Sequence, residues 1–204
     1  MKLIIFGATG TVGRHLTAQA AAAGFDVTAF ARHPSDLPRG VTAYAGDVLS
    51  AVDVDTAIRG QDAVIVVLGN GAKGGLRAQG TANIIRAMRN AGVKRLICQS
   101  TLGAGESRGN LNLFWKHIMF GLLLRGAYKD HQLQERFVRA SGLDWTIVRP
   151  GAFTDGPLTA DYRHDFPATD RSVELKISRA DVAHYLLRVL CDAASIGRTP
   201  GLSY

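Results

Sequence analysis

Three glycines spaced three apart, Gly7, Gly10 and Gly13, follow directly on the apolar run Leu3-Ile4-Ile5-Phe6 and precede the alanine-rich stretch His15–Ala23. A continuous apolar run that ends in glycine fits a parallel strand buried on both faces. Strand, glycine turn and helix start, in that order, make a phosphate cradle. The turn lets backbone N–H groups approach a pyrophosphate, and the helix N-terminus adds partial positive charge. The spacing Gly-x-x-Gly-x-x-Gly differs by one residue from the dinucleotide fingerprint Gly-x-Gly-x-x-Gly, so the order of elements carries the reading more than the spacing does. On this reading Gly7, Thr9, Gly10, Thr11, Val12 and Gly13 hold a cofactor.

Downstream, apolar runs and breakers alternate as in a doubly wound α/β chain. Gly24 closes the first helix, and Asp26–Ala31 alternates as a second strand. Arg32 then stands where an NAD enzyme would place an acidic residue for the ribose hydroxyls. A guanidinium suits a 2′-phosphate through charge-assisted, often bidentate pairing, so NADP(H) is preferred over NAD(H). The alternative is a solvated strand-end Arg32 and a cofactor without that phosphate.

Val41–Ala45 reads as a third strand leading to Gly46-Asp47-Val48, and Asp53–Arg59 as a short helix stopped by Gly60. Asp62–Leu68, almost wholly aliphatic, is the fourth strand. It empties into Gly69-Asn70-Gly71, small residues that let a dinucleotide pass close to the backbone, which makes Leu68, Gly69 and Asn70 cofactor candidates.

A helix over Leu76–Asn90 precedes a fifth strand, Lys94–Gln99, which ends at Ser100. Gly103–Asn110 is expected to be a mobile loop forming one wall of the substrate pocket. Leu111–Arg125 is apolar nearly all round, as in a helix packed in a core or on a partner subunit, and its polar face is too sparsely charged for a membrane-surface helix. Tyr128–Ala140 is another helix, feeding into Ser141–Pro150, and Pro150-Gly151-Ala152-Phe153 ends the sixth strand. Thr154–Arg171 lacks periodicity, Ser172–Ile177 alternates as a short strand, and Ser178-Arg-Ala-Asp181 opens the last helix as a capping box with aspartate in place of Glu or Gln. The chain thus reads as one unit over residues 1–204: α/β, a Rossmann-type doubly wound parallel sheet with a small C-terminal substrate lobe, residues 151–177 forming the substrate loop.

The opening Gly-Ala-Thr-Gly-x-x-Gly resembles the atypical and extended short-chain dehydrogenase/reductase superfamily. The stretch Ser141-Gly-Leu-Asp-Trp-Thr-Ile-Val-Arg-Pro150-Gly151 after a polar helix is similar to NAD(P)-binding reductases related to biliverdin reductase B (flavin reductase) and to NmrA-like proteins. The closing Ser178-Arg-Ala-Asp-Val-Ala183 is similar to the same family's last helix. This resemblance implies adenine contacts from Asp47 and Val48, a nicotinamide and substrate contact from Ser100, and the backbone of Pro150, Gly151 and Ala152 beside the nicotinamide carboxamide. Without the family context, Asp47 reads equally as the start of a connection and Ser100 as a turn hydroxyl.

Typical short-chain dehydrogenases pair a catalytic tyrosine with a lysine four residues on, which lowers the tyrosine pKa. Tyr128 has Gln132 at that spacing. The Asp130-His131 pair resembles one in the biliverdin reductase B group, which the resemblance implies works mainly by positioning nicotinamide and substrate. Ser100, Tyr128 and His131 are the catalytic candidates, with solvent, Ser100 and His131 all open as proton sources. The implied activity is that of an NADPH-dependent reductase passing a hydride to a small conjugated acceptor: a flavin, quinone, tetrapyrrole or carbonyl. The alternative is a non-catalytic NADP-binding redox sensor of NmrA-like type. An epimerase fits less well, because the tyrosine-lysine pair is incomplete and the 54 residues after Pro150 leave little room for a C-terminal domain.

The formal net charge of +7 favours anionic partners. A nucleotide cofactor is one, whereas the scattered basic residues, with no aromatic-interleaved patch, argue against nucleic acid. Cys98 and Cys191 lie far apart in apolar sequence and outside any metal or redox spacing, as expected of reduced core thiols in a cytoplasmic protein with no bound metal. The N-terminal apolar run is too short for a signal peptide, and Ile118–Leu124 is too short to span a bilayer. The expected partner is a small-molecule substrate, with no membrane, and monomer and homodimer both stay open.

Overall fold

The computed structural model describes residues 1–204. Its strands in chain order are β1 (Lys2–Phe6), β2 (Asp26–Ala31), β3 (Thr42–Ala45), β4 (Ala63–Val66), β5 (Arg95–Gln99), β6 (Asp144–Pro150), β7 (Ala152–Thr154), β8 (Arg163–His164), β9 (Lys176–Ser178) and β10 (Gly201–Ser203). The main sheet runs β3-β2-β1-β4-β5-β6-β10-β8 and is parallel except for β8, while β7 and β9 form a separate parallel pair. The first six strands have the doubly wound order, whose direction of winding reverses between β1 and β4 and so opens a crevice at the carboxyl ends of those strands.

The continuous apolar strands are explained by helices on both faces. Leu3 and Ile5 of β1 pack with Leu16 and Ala20 of α1 (Gly13–Ala22) and with Val182 and Leu186 of α5 (Arg179–Leu190). Ile4 and Phe6, pointing the other way, pack with Val54 of α2 (Ala51–Ile58), Met88 of α3 (Leu76–Ala91) and Val138 of α4 (Arg125–Arg139). Each of the larger of these buried side chains contributes about 1.5–3 kcal/mol of transfer free energy, Ala20 less.

An ion pair lies inside this framework, between β6 and α4. The Arg149 side chain on β6 is buried and donates to both Glu135 oxygens, at 2.9 and 2.6 Å, and to Glu106. A buried guanidinium persists only when paired in this way, and the pairing ties β6 to α4. Partial burial works to raise the Glu106 carboxyl, but hydrogen bonds from Arg149 and Thr199 hold it down at about 2.

Several expectations need correction. Gly103–Asn110 is not a loose pocket wall: Gly105–Asn110 coils into a 3₁₀ segment behind the cavity, where Asn110 donates to the carbonyls of Pro167 and Asp170. The apolar stretch winds as a π-helix over Phe114–Leu123, its end marked by the Leu124 N–H to Met119 carbonyl bond, and much of it is exposed. The strand expected over Ser172–Ile177 forms only at Lys176–Ser178, because Leu175 breaks the pattern with φ of 59°. Three short strands were not anticipated: β7, separated from β6 at Gly151, β8 within the irregular stretch, and β10. Cys98 is buried as expected, whereas Cys191 is exposed just beyond α5.

Candidate functional site

A cavity of about 680 Å³ opens at the carboxyl ends of the parallel strands. At its floor, Gly7 takes φ of 89°, and its N–H and that of Ala8 both donate to the Phe30 carbonyl. A Cβ at Gly7 would stand 2.7 Å from the Val67 carbonyl oxygen, so only glycine fits. Gly10 closes the turn on the Gly7 carbonyl at 2.9 Å. Gly13 does not line the cavity; a Cβ there would lie 2.1 Å from the Gly7 oxygen, so this glycine lets α1 seat against the turn.

The turn leaves the backbone N–H groups of Thr9, Thr11 and Val12 without hydrogen-bond partners in the protein, and all three residues line the cavity. No acidic residue occupies the first turn of α1 and no side chain caps it. These are the features of an anion site at a helix start. Arg32, exposed at the end of β2, lines the same cavity and has no carboxylate within ion-pair distance.

Asp47, Val48, Leu68 and Gly69 also line it. The Asp47 carboxylate accepts from the Leu49 N–H at 2.9 Å, and Val48 is held against Gly80, where a Cβ would come within 2.9 Å of it. Asn70 does not reach the cavity, since its amide donates to the Gly74 carbonyl. Pro150 also stays outside, whereas Gly151 and Ala152 line the wall. A Cβ on Gly151 would press within 2.7 Å of the Leu175 backbone.

Ser100, Tyr128 and His131 come together around the other end of the cavity. Ser100 Oγ is buried without a partner, as are Gln99 Oε1 and Arg77 Nε on neighbouring lining residues. The Tyr128 hydroxyl donates to the Gly103 carbonyl at 2.9 Å and accepts from Arg108 at 3.2 Å. His131 sits 3.3 Å from Gln134 Oε1 through Nδ1. Burial first, and the Arg77 charge second, push this imidazole down to about 3, so it is neutral near pH 7. The rest of this end is apolar and aromatic: Leu111, Trp115, Phe120, Leu124, Phe153 and Leu175.

The sequence reading passed over Arg77, Gln99 and the Trp115–Leu124 wall. Arg77, the second residue of α3, donates to the Gly71 and Lys73 carbonyls, fixing the Gly69–Gly75 turn. Nothing in the sequence marks it except its place one residue inside a helix beginning. The aromatic residues were legible as an apolar stretch, but not as a cavity wall, because a π-helix does not keep the 3.6-residue stripe.

The donors gathered at the turn and Arg32 fit a phosphate-bearing dinucleotide. The comparisons with known proteins agree: residues 7–193 match the family described as NAD(P)H-binding. The chain is 32% identical to the UPF0659 protein YMR090W of Saccharomyces cerevisiae, covering 93% of this chain and 87% of that protein. It is 26% identical to ChuY, an anaerobillin reductase of Escherichia coli O157:H7, with a TM-score of 0.83 over 100% of this chain and 97% of the other. It is also 25% identical to the oxidoreductase ylbE of Lactococcus lactis, with a TM-score of 0.83 over 100% of this chain and 90% of that one.

Proposed function

The chain belongs to the NAD(P)H-binding family, and on that footing we propose that it is an NADPH-dependent oxidoreductase that passes a hydride to a small conjugated acceptor, such as a flavin, quinone, tetrapyrrole or carbonyl. The observation that carries this reading is the continuity of one cavity, which joins the free N–H groups of Thr9, Thr11 and Val12 and the unpaired Arg32 to an aromatic chamber at Trp115, Phe120 and Tyr128. The reductase named among the similar structures supports it.

The turn and α1 would bind the pyrophosphate, Arg32 the 2′-phosphate, and Asp47 and Val48 the adenine end. When bound, a reduced nicotinamide supplies the hydride. Ser100 and the Gly151-Ala152 backbone orient the reacting end, and the apolar wall excludes water from a flat acceptor. The neutral His131 positions substrate and is a poor acid, and the Tyr128 hydroxyl is already committed to Gly103, which leaves solvent or Ser100 to deliver the proton. A cytoplasmic setting, where thiols stay reduced, suits both the cofactor and the free Cys98.

One observation favours a second reading, a redox sensor without turnover: the Tyr128 hydroxyl is engaged and Gln132 occupies the place of the usual lysine. NADPH oxidation followed spectrophotometrically with FMN, a benzoquinone and biliverdin separates the two. Turnover with any acceptor, reduced in Ser100→Ala, is the expected result; binding without oxidation across the panel selects the sensor.

A further inference from the structure

The π-helix Phe114–Leu123 divides its side chains between two surroundings. Trp115 and Phe120, together with Leu124, face the cavity. Leu113, Phe114, Ile118, Leu122 and Leu123 remain 44–74% exposed, which gathers five of the twelve large exposed hydrophobic residues onto one ten-residue stretch and its neighbour. Scattered exposed leucines need no explanation, but a contiguous group marks a surface that is covered in use.

The charge around this group identifies what covers it. From Ser107 to Lys129 the chain has no aspartate or glutamate, yet carries Arg108, Lys116, Arg125 and Lys129. None of these four forms an ion pair. Arg125 and Lys129 are exposed and Lys116 is half-buried. An isologous contact that sets this segment against itself would bring its cations together with no acidic residue of the segment to pair them. Apolar side chains flanked by uncompensated lysine and arginine are instead complementary to anionic lipid headgroups over acyl chains.

We propose that the Leu113–Lys129 segment is a peripheral docking surface for an anionic lipid bilayer. The proposal departs from the sequence expectation of a core or subunit-packing helix, in that five of the large apolar side chains here are exposed. The sparse charge on the helix itself is made up by Arg125 and Lys129 on the following α4. No helix of the chain is long and apolar enough to cross a membrane, so the contact is with the surface. The docking claim does not depend on turnover. If the reductase reading also holds, the cavity wall lies against the lipid and the acceptor can be one that dissolves there.

The test is co-sedimentation with sucrose-loaded vesicles. The chain should pellet with vesicles of phosphatidylglycerol and phosphatidylcholine in equal parts, and stay in solution with phosphatidylcholine alone or at high salt. Each basic residue near an anionic surface is worth about fivefold in affinity, so the triple variant Lys116→Gln, Arg125→Gln, Lys129→Gln should bind roughly a hundredfold more weakly. Leu122→Asp with Leu123→Asp should abolish pelleting with an unchanged thermal melt, since both side chains are exposed. Absence of pelleting by the folded parent overturns the proposal, as does binding that survives both variants. A dimer in sedimentation equilibrium that Leu122→Asp dissociates would reassign the surface to a second copy.

Discussion

Asp130 of α4 caps α3: its carboxylate accepts the Arg77 N–H at 3.0 Å and the Ala78 N–H at 3.1 Å, and lies 3.7 Å from the Arg77 guanidinium. Gly75 at the start of α3 has no side chain with which to cap, so the capping anion comes from another helix. Both side chains are buried, at 8% and 2% exposure, so the pair is shielded from solvent screening.

Asp130→Ala removes the cap and leaves a buried guanidinium unpaired. It should cost about 3 kcal/mol in urea denaturation and weaken cofactor binding, because Arg77 also holds the Gly69–Gly75 turn. Asp130→Asn keeps one acceptor and should cost less than half as much. Equal losses for the two variants would contradict the capping role.

The glycines of the first turn should separate by role. At Gly13 a Cβ would meet the Gly7 oxygen at 2.1 Å and two Ala8 backbone atoms at 2.8 Å, so Gly13→Ala should lose the folded state or most of its stability. Gly10 has no left-handed φ and its Cβ would lie 3.1 Å from one carbonyl oxygen. Gly10→Ala should therefore keep a cooperative melt and lose NADPH affinity by about tenfold or more, since the methyl occupies the approach to the free N–H groups. Unchanged affinity in Gly10→Ala would place the pyrophosphate elsewhere.

The depressed His131 imidazole has a consequence for acid stability. Its folded value of about 3 lies below the ordinary histidine value of 6.5, so below pH 6.5 the unfolded chain takes up the proton first. The stability that rests on neutral His131 is present above that pH and is lost progressively down to the folded value. Between pH 6.5 and 5 the loss should be about 2 kcal/mol, and His131→Gln should flatten that part of the profile. A parent and variant with parallel profiles would show that His131 titrates normally.

The sheet and the glycine turn were legible in the sequence because their determinants are local. The apolar runs of β1 and β4 require cover on both faces, the glycine turn needs its three small residues, and Ser178 caps α5 by accepting the Asp181 N–H at 3.0 Å, as the capping box predicts. The capping box also shows where local reading ends. Besides the Ser178 hydroxyl, the Asp181 carboxylate accepts from the Thr159 and Ala160 N–H groups and the Tyr204 hydroxyl, contacts 21 to 23 residues distant along the chain. The same limit hid the Asp130 cap, which comes from 52 and 53 residues away. The π-helix was missed because its residues suit an ordinary helix equally well. Of the named cofactor residues, Asn70, Gly13 and Pro150 fall outside the cavity; their backbone positions support the loops that form it.

Arg32 provides a prediction independent of catalysis. A charge-assisted hydrogen bond is worth about 1.5–3 kcal/mol, so Arg32→Ala should weaken NADPH binding by roughly 10- to 100-fold and leave NADH binding unchanged. Equal loss for both cofactors would mean that Arg32 acts on some other part of the dinucleotide.

The most direct test of the account is fluorescence titration of the unmodified chain with NADPH and, in parallel, with NADH. We expect saturable binding of both, tighter for NADPH, with the preference abolished in Arg32→Ala. Absence of binding by a demonstrably folded chain would contradict the reading of the Gly7–Gly13 turn as a dinucleotide cradle and, with it, the proposed activity.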